Sequence, residues 1–242
     1  MRTAVFWPLC GVLLGAWAGV LGAESAPVHQ PLADKIIVLD PGHAVKNAAG
    51  KIINPGASGR HGVLERDVNL DVADKLIPLL EAQGAKVYST RTHGNAWRYS
   101  PQSRHADNRA RAIFANTMRA DAYVRLHCDW NRSKKFKGFT TYYYRWGSRR
   151  LAKSIDRALA MALPGHVDRG LHRRTFVSVT ASMPTVLLEL GVLSNRQEGK
   201  DLGNDAYQTR LAQAISAGLV DYFERTPKHK APQVSVSTSS TL

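Results

Sequence analysis

Cysteine is nearly absent from this 242-residue sequence. Of its 2 cysteines, Cys10 falls in the apolar leader, so the processed chain keeps only Cys128 and cannot close an intramolecular disulfide. Stability must come from a packed core, which a chain of this length can build as one sizeable domain. Acidic residues are scarce as well: 19 Asp and Glu stand against 33 Lys and Arg, for a formal charge of +14. That balance steers a protein toward polyanions, whether nucleic acid, anionic lipid or the acidic polymers of a cell envelope. Beyond the leader there is no apolar run long enough to span a bilayer, no internal repeat and no composition shift that would mark a second folded domain.

The leader, "MRTAVFWPLCGVLLGAWAGVLGAESA", has a basic start, an apolar stretch and small residues, the layout of a secretory signal over residues 1–23 with cleavage near Gly22 or Ala23. Pro8 and several glycines interrupt the stretch and disfavour a retained anchor. The Trp-Pro-Leu before Cys10 puts no leucine three residues ahead of it, against a lipoprotein anchor. Export makes the envelope the best of the three polyanions and predicts a periplasmic or cell-wall-associated protein. No helix or strand interleaves basic residues with aromatics, which argues against nucleic acid. The folded domain is expected over residues 24–225, and the proline-, serine- and threonine-rich residues 226–242 are expected to form a disordered tail.

Periodicity over the domain alternates strand and helix. "KIIVLD" reads as a strand buried on both faces, followed by a long glycine-rich loop from Ala44 to Gly62. Val68, Val72, Leu76, Leu79 and Leu80 recur at helical spacing before Gly84. "AKVYSTR", "DAYVRLH", "GFTTYYY" and "MPTVLLELG" read as strands, while "NRARAIFANTMRA", "SRRLAKSIDRALAMAL" and "AYQTRLAQAISAGLVDYFER" read as helices. The order predicts a single α/β domain: a twisted, mostly parallel sheet with helices on both faces.

In such a sheet the crevice beyond the carboxyl ends of the strands is where ligands bind. His43, His127 and Glu189 each end a strand, and Glu65 opens the helix after the glycine-rich loop. Two imidazoles and a carboxylate from separate segments suit a zinc ion with a fourth position open for water. Taken singly, each also fits a hydrogen-bonded structural residue. Glu189 follows "TVLL", and an acid on a buried strand implies a partner, a metal or a raised pKa; an ion pair with one of the arginines is the alternative. Cys128 should point away from His127, as a small buried thiol. Gly62 keeps His61 in the loop and so off a helix face shared with Glu65.

"LDPGH", "NPGASGRHGVLERDVNL", "RAIFANTMRADAYVRLHCD" and "PTVLLELGVLSN", in this order, resemble the catalytic domain of zinc-dependent N-acetylmuramoyl-L-alanine amidases over about residues 35 to 224. Gly56, Gly59, Gly62 and Glu65 in the loop and the Glu189–Asn195 segment are the most specific parts. The resemblance implies His43, Glu65 and His127 as zinc ligands, one Zn2+ per chain, Glu189 as the catalytic glutamate, and peptidoglycan as substrate, cut between the muramoyl lactyl group and L-alanine. Arg169, in "VDRGLHRR", and Asn195 rank second, on the substrate side. Ala44 and Val45 stand where the family more often has two glycines, and Cys128-Asp129 where a small residue and Asn are common. The rival readings are an inactive wall-docking module and a different zinc peptidase acting on stem peptides. The segment between His127 and Glu189 has room for a strand, a helix and a strand, and little for a blocking helix, so the site should be open.

Overall fold

A computed structural model describes residues 29–46, 50–59, 62–93, 104–175 and 180–226. The leader over 1–23, His61 and the tail beyond Thr226 lie outside the described residues.

Strand β1 (Ile36–Pro41) is the apolar run with which the domain begins, buried on both faces between β4 (Lys86–Ser89) and β5 (Ala122–Asp129), parallel to each. β5 pairs in parallel with β8 (Thr185–Val192), and β6 (Phe139–Tyr143) and β7 (Asp168–Arg173) complete a six-stranded sheet in the order β4-β1-β5-β8-β6-β7. β6 runs antiparallel to β8 and parallel to β7. The sheet is therefore mostly parallel, with one reversal at the β8–β6 boundary.

Strand parity sorts the core into two layers. Ile37, Leu39, Val124, Leu126, Cys128, Val186 and Leu188 face α1 (Glu65–Ala82), α3 (Arg149–Ala162) and α5 (Asp205–Glu224), whose Val68, Leu76, Leu80, Leu151, Ile155, Leu211 and Ile215 pack onto them. On the other face Val38 and Tyr123 meet Ala112 and Ala115 of α2 (Arg104–Thr117) in a smaller cluster. Each fully buried aliphatic side chain contributes about 1.5–3 kcal/mol, so the α1–α3–α5 layer supplies most of the stability. The α2 face, less crowded, is the one on which His127 and Glu189 lie.

Several elements were not legible beforehand. Inside the glycine-rich loop, β2 (Val45–Lys46) and β3 (Ile52–Asn54) form a short antiparallel hairpin. β7 coincides with the basic "DRGLHR", whose charge and lack of alternation suit an edge strand and mask it. The polar α4 (Arg196–Leu202) is only 7 residues long, started by Asn195, whose side chain accepts the backbone N–H groups of Gln197 and Glu198.

Asp156 of α3 is buried, with one carboxylate oxygen unpartnered. Burial, with Asp168 adding to it, pushes its carboxyl from an ordinary 3.8 up to about 6. An acid raised in the folded state holds a proton that the unfolded chain has already lost, so its contribution is intact below about 3.8, falls as pH rises and is gone above about 6. Asp156→Asn should therefore leave Tm unchanged near pH 4 and raise it by about 2–4 °C at pH 7.5. Thermal denaturation at the two pH values checks this, and an unchanged Tm at pH 7.5 would contradict it.

Candidate metal and catalytic centre

β1 delivers His43 through a turn with unusual backbone. His43 and Ala44 have φ values of 69° and 56°, in the left-handed region that costs non-glycine residues about 1–2 kcal/mol each. Two arginines fasten that turn carbonyl by carbonyl. Arg91 donates from Nε to Pro41 O at 2.9 Å and from Nη2 to Gly42 O at 3.0 Å, and also to Arg66 O. Arg111 of α2 donates from Nη2 to His43 O at 2.9 Å and from Nη1 to Pro41 O at 3.3 Å.

Arg111 is itself held by Asp40, whose carboxylate is fully buried. Asp40 accepts from Arg111 Nη1 and Thr90 Oγ1 at 2.7 Å, from Tyr123 OH at 2.8 Å and from Arg125 Nε at 2.9 Å. Burial works against its charge, but the guanidinium groups of Arg111 and Arg125 overcome that and hold the carboxyl far below the usual carboxylate range. Asp40 thus serves the site by anchoring its frame, one turn away from the chemistry.

The three residues expected to bind a metal converge. The nearest ligand atoms of His43, Glu65 and His127 all lie within 4.8 Å of one another. Glu65 Oε1 is 2.8 Å from His43 Nε2 and 3.1 Å from His127 Nδ1, and the two rings meet edge to face at 4.9 Å. The other oxygen of Glu65 accepts Ala57 N–H at 2.8 Å, which ties the helix start to the loop. Asn54 Oδ1 lies 2.9 Å from His43 Nδ1, an outer contact that leaves Nε2 facing the cluster.

The electrostatics suit a divalent cation. Burial opposes charge on Glu65, yet hydrogen bonds with His127 and His43 hold its carboxyl well below the usual range, so it stays an anion. Burial pulls His127 down to about 4, against the hydrogen bond to Glu65, so its imidazole is neutral and has a lone pair to donate. Two imidazoles and one carboxylate form a nitrogen-oxygen donor set that could hold a metal ion.

Two glycines in the surrounding turns are required by space. A Cβ on Gly42 would stand 2.3–2.8 Å from the His127 ring. At Gly56, with φ of 78°, it would stand 2.9 Å from His43 Cγ and 3.0 Å from Glu65 Oε2. Cys128 lies on the far face of β5, buried, with its Sγ 3.6 Å from Asn69 Oδ1.

Glu189 is the in-register partner of His127 across the parallel β5–β8 pair, so both project from the same face. Its Oε2 is buried without a hydrogen-bond partner. Burial pushes its carboxyl well above the ordinary range, and the negative neighbours Asp129 and Glu65 add to the shift against Arg169 and Arg125. Arg169 pairs with Asp129 at 2.9 Å, so that among the described residues Glu189 lacks the direct ion pair that a structural acid would have. Asn195 lies one turn beyond β8; its amide donates to Lys134 O at 2.9 Å and Phe136 O at 3.2 Å while its oxygen caps α4.

The residues that escaped the sequence reading are Asn54, Arg91 and Arg111. Asn54 is a polar residue directly before the Pro55-Gly56 turn, a signal available but weak. Arg111 stands four residues after Asp107, on the same stripe as buried Ala115, a placement at odds with a solvated cation.

Residues 37–221 match the sequence family described as N-acetylmuramoyl-L-alanine amidase. The chain is 32% identical over 217 residues to the N-acetylmuramoyl-L-alanine amidase LytC of Bacillus subtilis, covering 88% of this chain but only 40% of that protein. Among solved structures, it superposes on the catalytic domain of the N-acetylmuramoyl-L-alanine amidase CwlV of Paenibacillus polymyxa with a TM-score of 0.67 at 30% identity, covering 78% of this chain and 98% of the other. An N-acetylmuramoyl-L-alanine amidase of Clostridium difficile 630 gives 0.69 at 27% identity, covering 81% and 100%.

Removing the guanidinium that links Asp40 to the His43 turn should be costly. Arg111→Met leaves a buried carboxylate short of one cation and is expected to destabilise the fold by about 3–5 kcal/mol. Urea unfolding measures it, and a midpoint equal to that of the unmutated protein would show the cluster to be dispensable.

Proposed function

Because the chain belongs to the N-acetylmuramoyl-L-alanine amidase family, we propose that it is an exported, zinc-dependent cell-wall hydrolase that cuts the amide between the lactyl group of N-acetylmuramic acid and the L-alanine of the stem peptide. The observation that carries this reading is the convergence of His43, Glu65 and His127, with Glu189, one of whose carboxylate oxygens is buried and unpartnered among the described residues, beside His127 on one sheet face. Zinc held by the three residues supplies Lewis acidity for the scissile carbonyl and for a water molecule.

The chain's own groups do the rest. The Arg91 and Arg111 clamps fix the His43 turn, Glu65 is fixed through Ala57, and His127 is fixed by β5, so the donor atoms are set before any ligand arrives. Glu189 takes the proton of the attacking water on its carboxylate and passes it to the departing amine of L-alanine. Hydrolysis then needs no covalent intermediate on the protein. The +14 charge favours capture of an anionic wall. Among the described residues no helix is long and apolar enough to cross a membrane, which suits a chain released into the periplasm or the wall after removal of residues 1–23.

Single variants separate the roles. His43→Ala, Glu65→Ala and His127→Ala should each lose bound zinc, because two ligands make too weak a site; metal analysis of the folded variants reads this, and full occupancy in two of the three would mean the ligands are others. Glu189→Gln should keep zinc and lower stem-peptide release by about 10²–10⁴-fold, the worth of a positioned general base. Unchanged release from that folded, zinc-loaded variant would remove Glu189 from the mechanism.

A further inference from the structure

The chain leaves β5 at Asp129 into a turn, residues 130–137, that reaches β6 on the Glu189 side of the site. No acidic side chain occurs between Asp129 and Asp156, and Arg132, Lys134, Lys135 and Lys137 crowd into six residues of the turn. All four are exposed. Cations at this density repel one another, so a turn that carries them needs something to hold it in place.

The hold is extensive. Asn131 N–H donates to Ser194 Oγ at 3.0 Å, and Asn195 Nδ2 donates to the carbonyls of both Lys134 and Phe136. Gly138 N–H donates to the buried Glu198 Oε1 at 2.7 Å, closing the far end. Phe136 packs under the Arg169 guanidinium, 4.4 Å from its ring centre, while Arg169 pairs with Asp129 at the turn's start. Trp130, 46% exposed, has the Lys134 ammonium 4.8 Å above its ring. The backbone is pinned from three directions, and the exposed charges face solvent or a ligand, Lys134 from over the Trp130 ring.

We propose that this turn is the stem-peptide subsite, in which Lys134, Lys135 and Lys137, with Arg132 beside them, receive the free carboxylates of the peptide. Asn195 and Arg169 are then positioning residues that hold the turn in place. The assignment rests on the amidase reading and deepens it. Around the scissile amide the glycan side is neutral sugar, and the carboxylates lie on the peptide side. A cationic turn that leads into β6, whose Thr140 is the in-register partner of Glu189, therefore fixes the direction in which the substrate lies across the site.

The test uses two synthetic stem tetrapeptides as probes, one with free carboxylates and one with every carboxylate amidated, titrated calorimetrically against the full chain. The unmutated protein should bind the free form about 5- to 10-fold more tightly, the worth of three exposed ion pairs. Lys134→Gln/Lys135→Gln/Lys137→Gln should lose that preference with Tm and bound zinc retained. Asn195→Ser keeps a competent helix cap but cannot make both donations to the turn, so it should lose the preference while Tm stays close to that of the unmutated chain. Equal binding of the two peptides by the unmutated protein, or a preference that survives in the triple variant, would overturn the subsite. Stem-peptide release from muropeptides is followed separately: preference without release overturns the amidase reading and leaves carboxylate capture standing, and release without preference does the reverse.

Discussion

A single buried carboxylate organises this molecule. Asp40 has no exposed surface and sits where the first strand ends, accepting hydrogen bonds from Arg111, Arg125, Tyr123 and Thr90. A lone ion there would be prohibitively costly, and burial of the cluster is tolerable only because nearly every polar atom has a partner. What the arrangement secures is geometry. Arg111 reaches past Asp40 to the carbonyl of His43 and, with Arg91, holds consecutive carbonyls of a turn whose backbone is left-handed at two non-glycine residues. The imidazole that meets Glu65 is placed by a charge network that never touches it.

The two halves of the centre are then set by different physics. His43 and Glu65 come from turns held by hydrogen bonds and by glycines that leave room for imidazole rings, whereas His127 and Glu189 come from adjacent parallel strands whose register puts them side by side. The resulting electrostatic contrast is useful. Glu65, bonded to both imidazoles, stays ionised, while Glu189, buried beside Asp129 and Glu65, has a raised proton affinity. On the proposed mechanism Glu65 would hold the cation and Glu189 would exchange the proton.

The parts legible from sequence were those with a local signature. The apolar runs of β1, β5 and β8 and the helical spacing of α1, α3 and α5 each satisfy one period over many residues, so the α/β architecture followed from them; His43, His127 and Glu189 were expected to end their strands, but β5 and β8 run on past His127 and Glu189 to Asp129 and Val192, and His43 lies two residues beyond β1. The β2–β3 hairpin and β7 were illegible because short or charged edge strands carry little alternation, and the reversal of β6 leaves no mark in its own residues. Arg91 and Arg111 were hidden for a different reason. A cation in a basic chain reads as a solvated surface group, and only the tertiary pairing with Asp40 reveals that Arg111 is buried. Asn195, ranked on the substrate side from the family likeness, spends its side chain on hydrogen bonds to the Lys134–Phe136 turn and to α4.

The central claim is that these residues together hydrolyse one particular amide. Purified peptidoglycan incubated with the processed chain, with and without a zinc chelator, and analysed by mass spectrometry tests it most directly. The account predicts intact stem peptides with free L-alanine amino termini, together with glycan bearing free lactyl carboxyls, and their disappearance when zinc is removed. Cleavage within the peptide, or the same products in the presence of chelator, would contradict it.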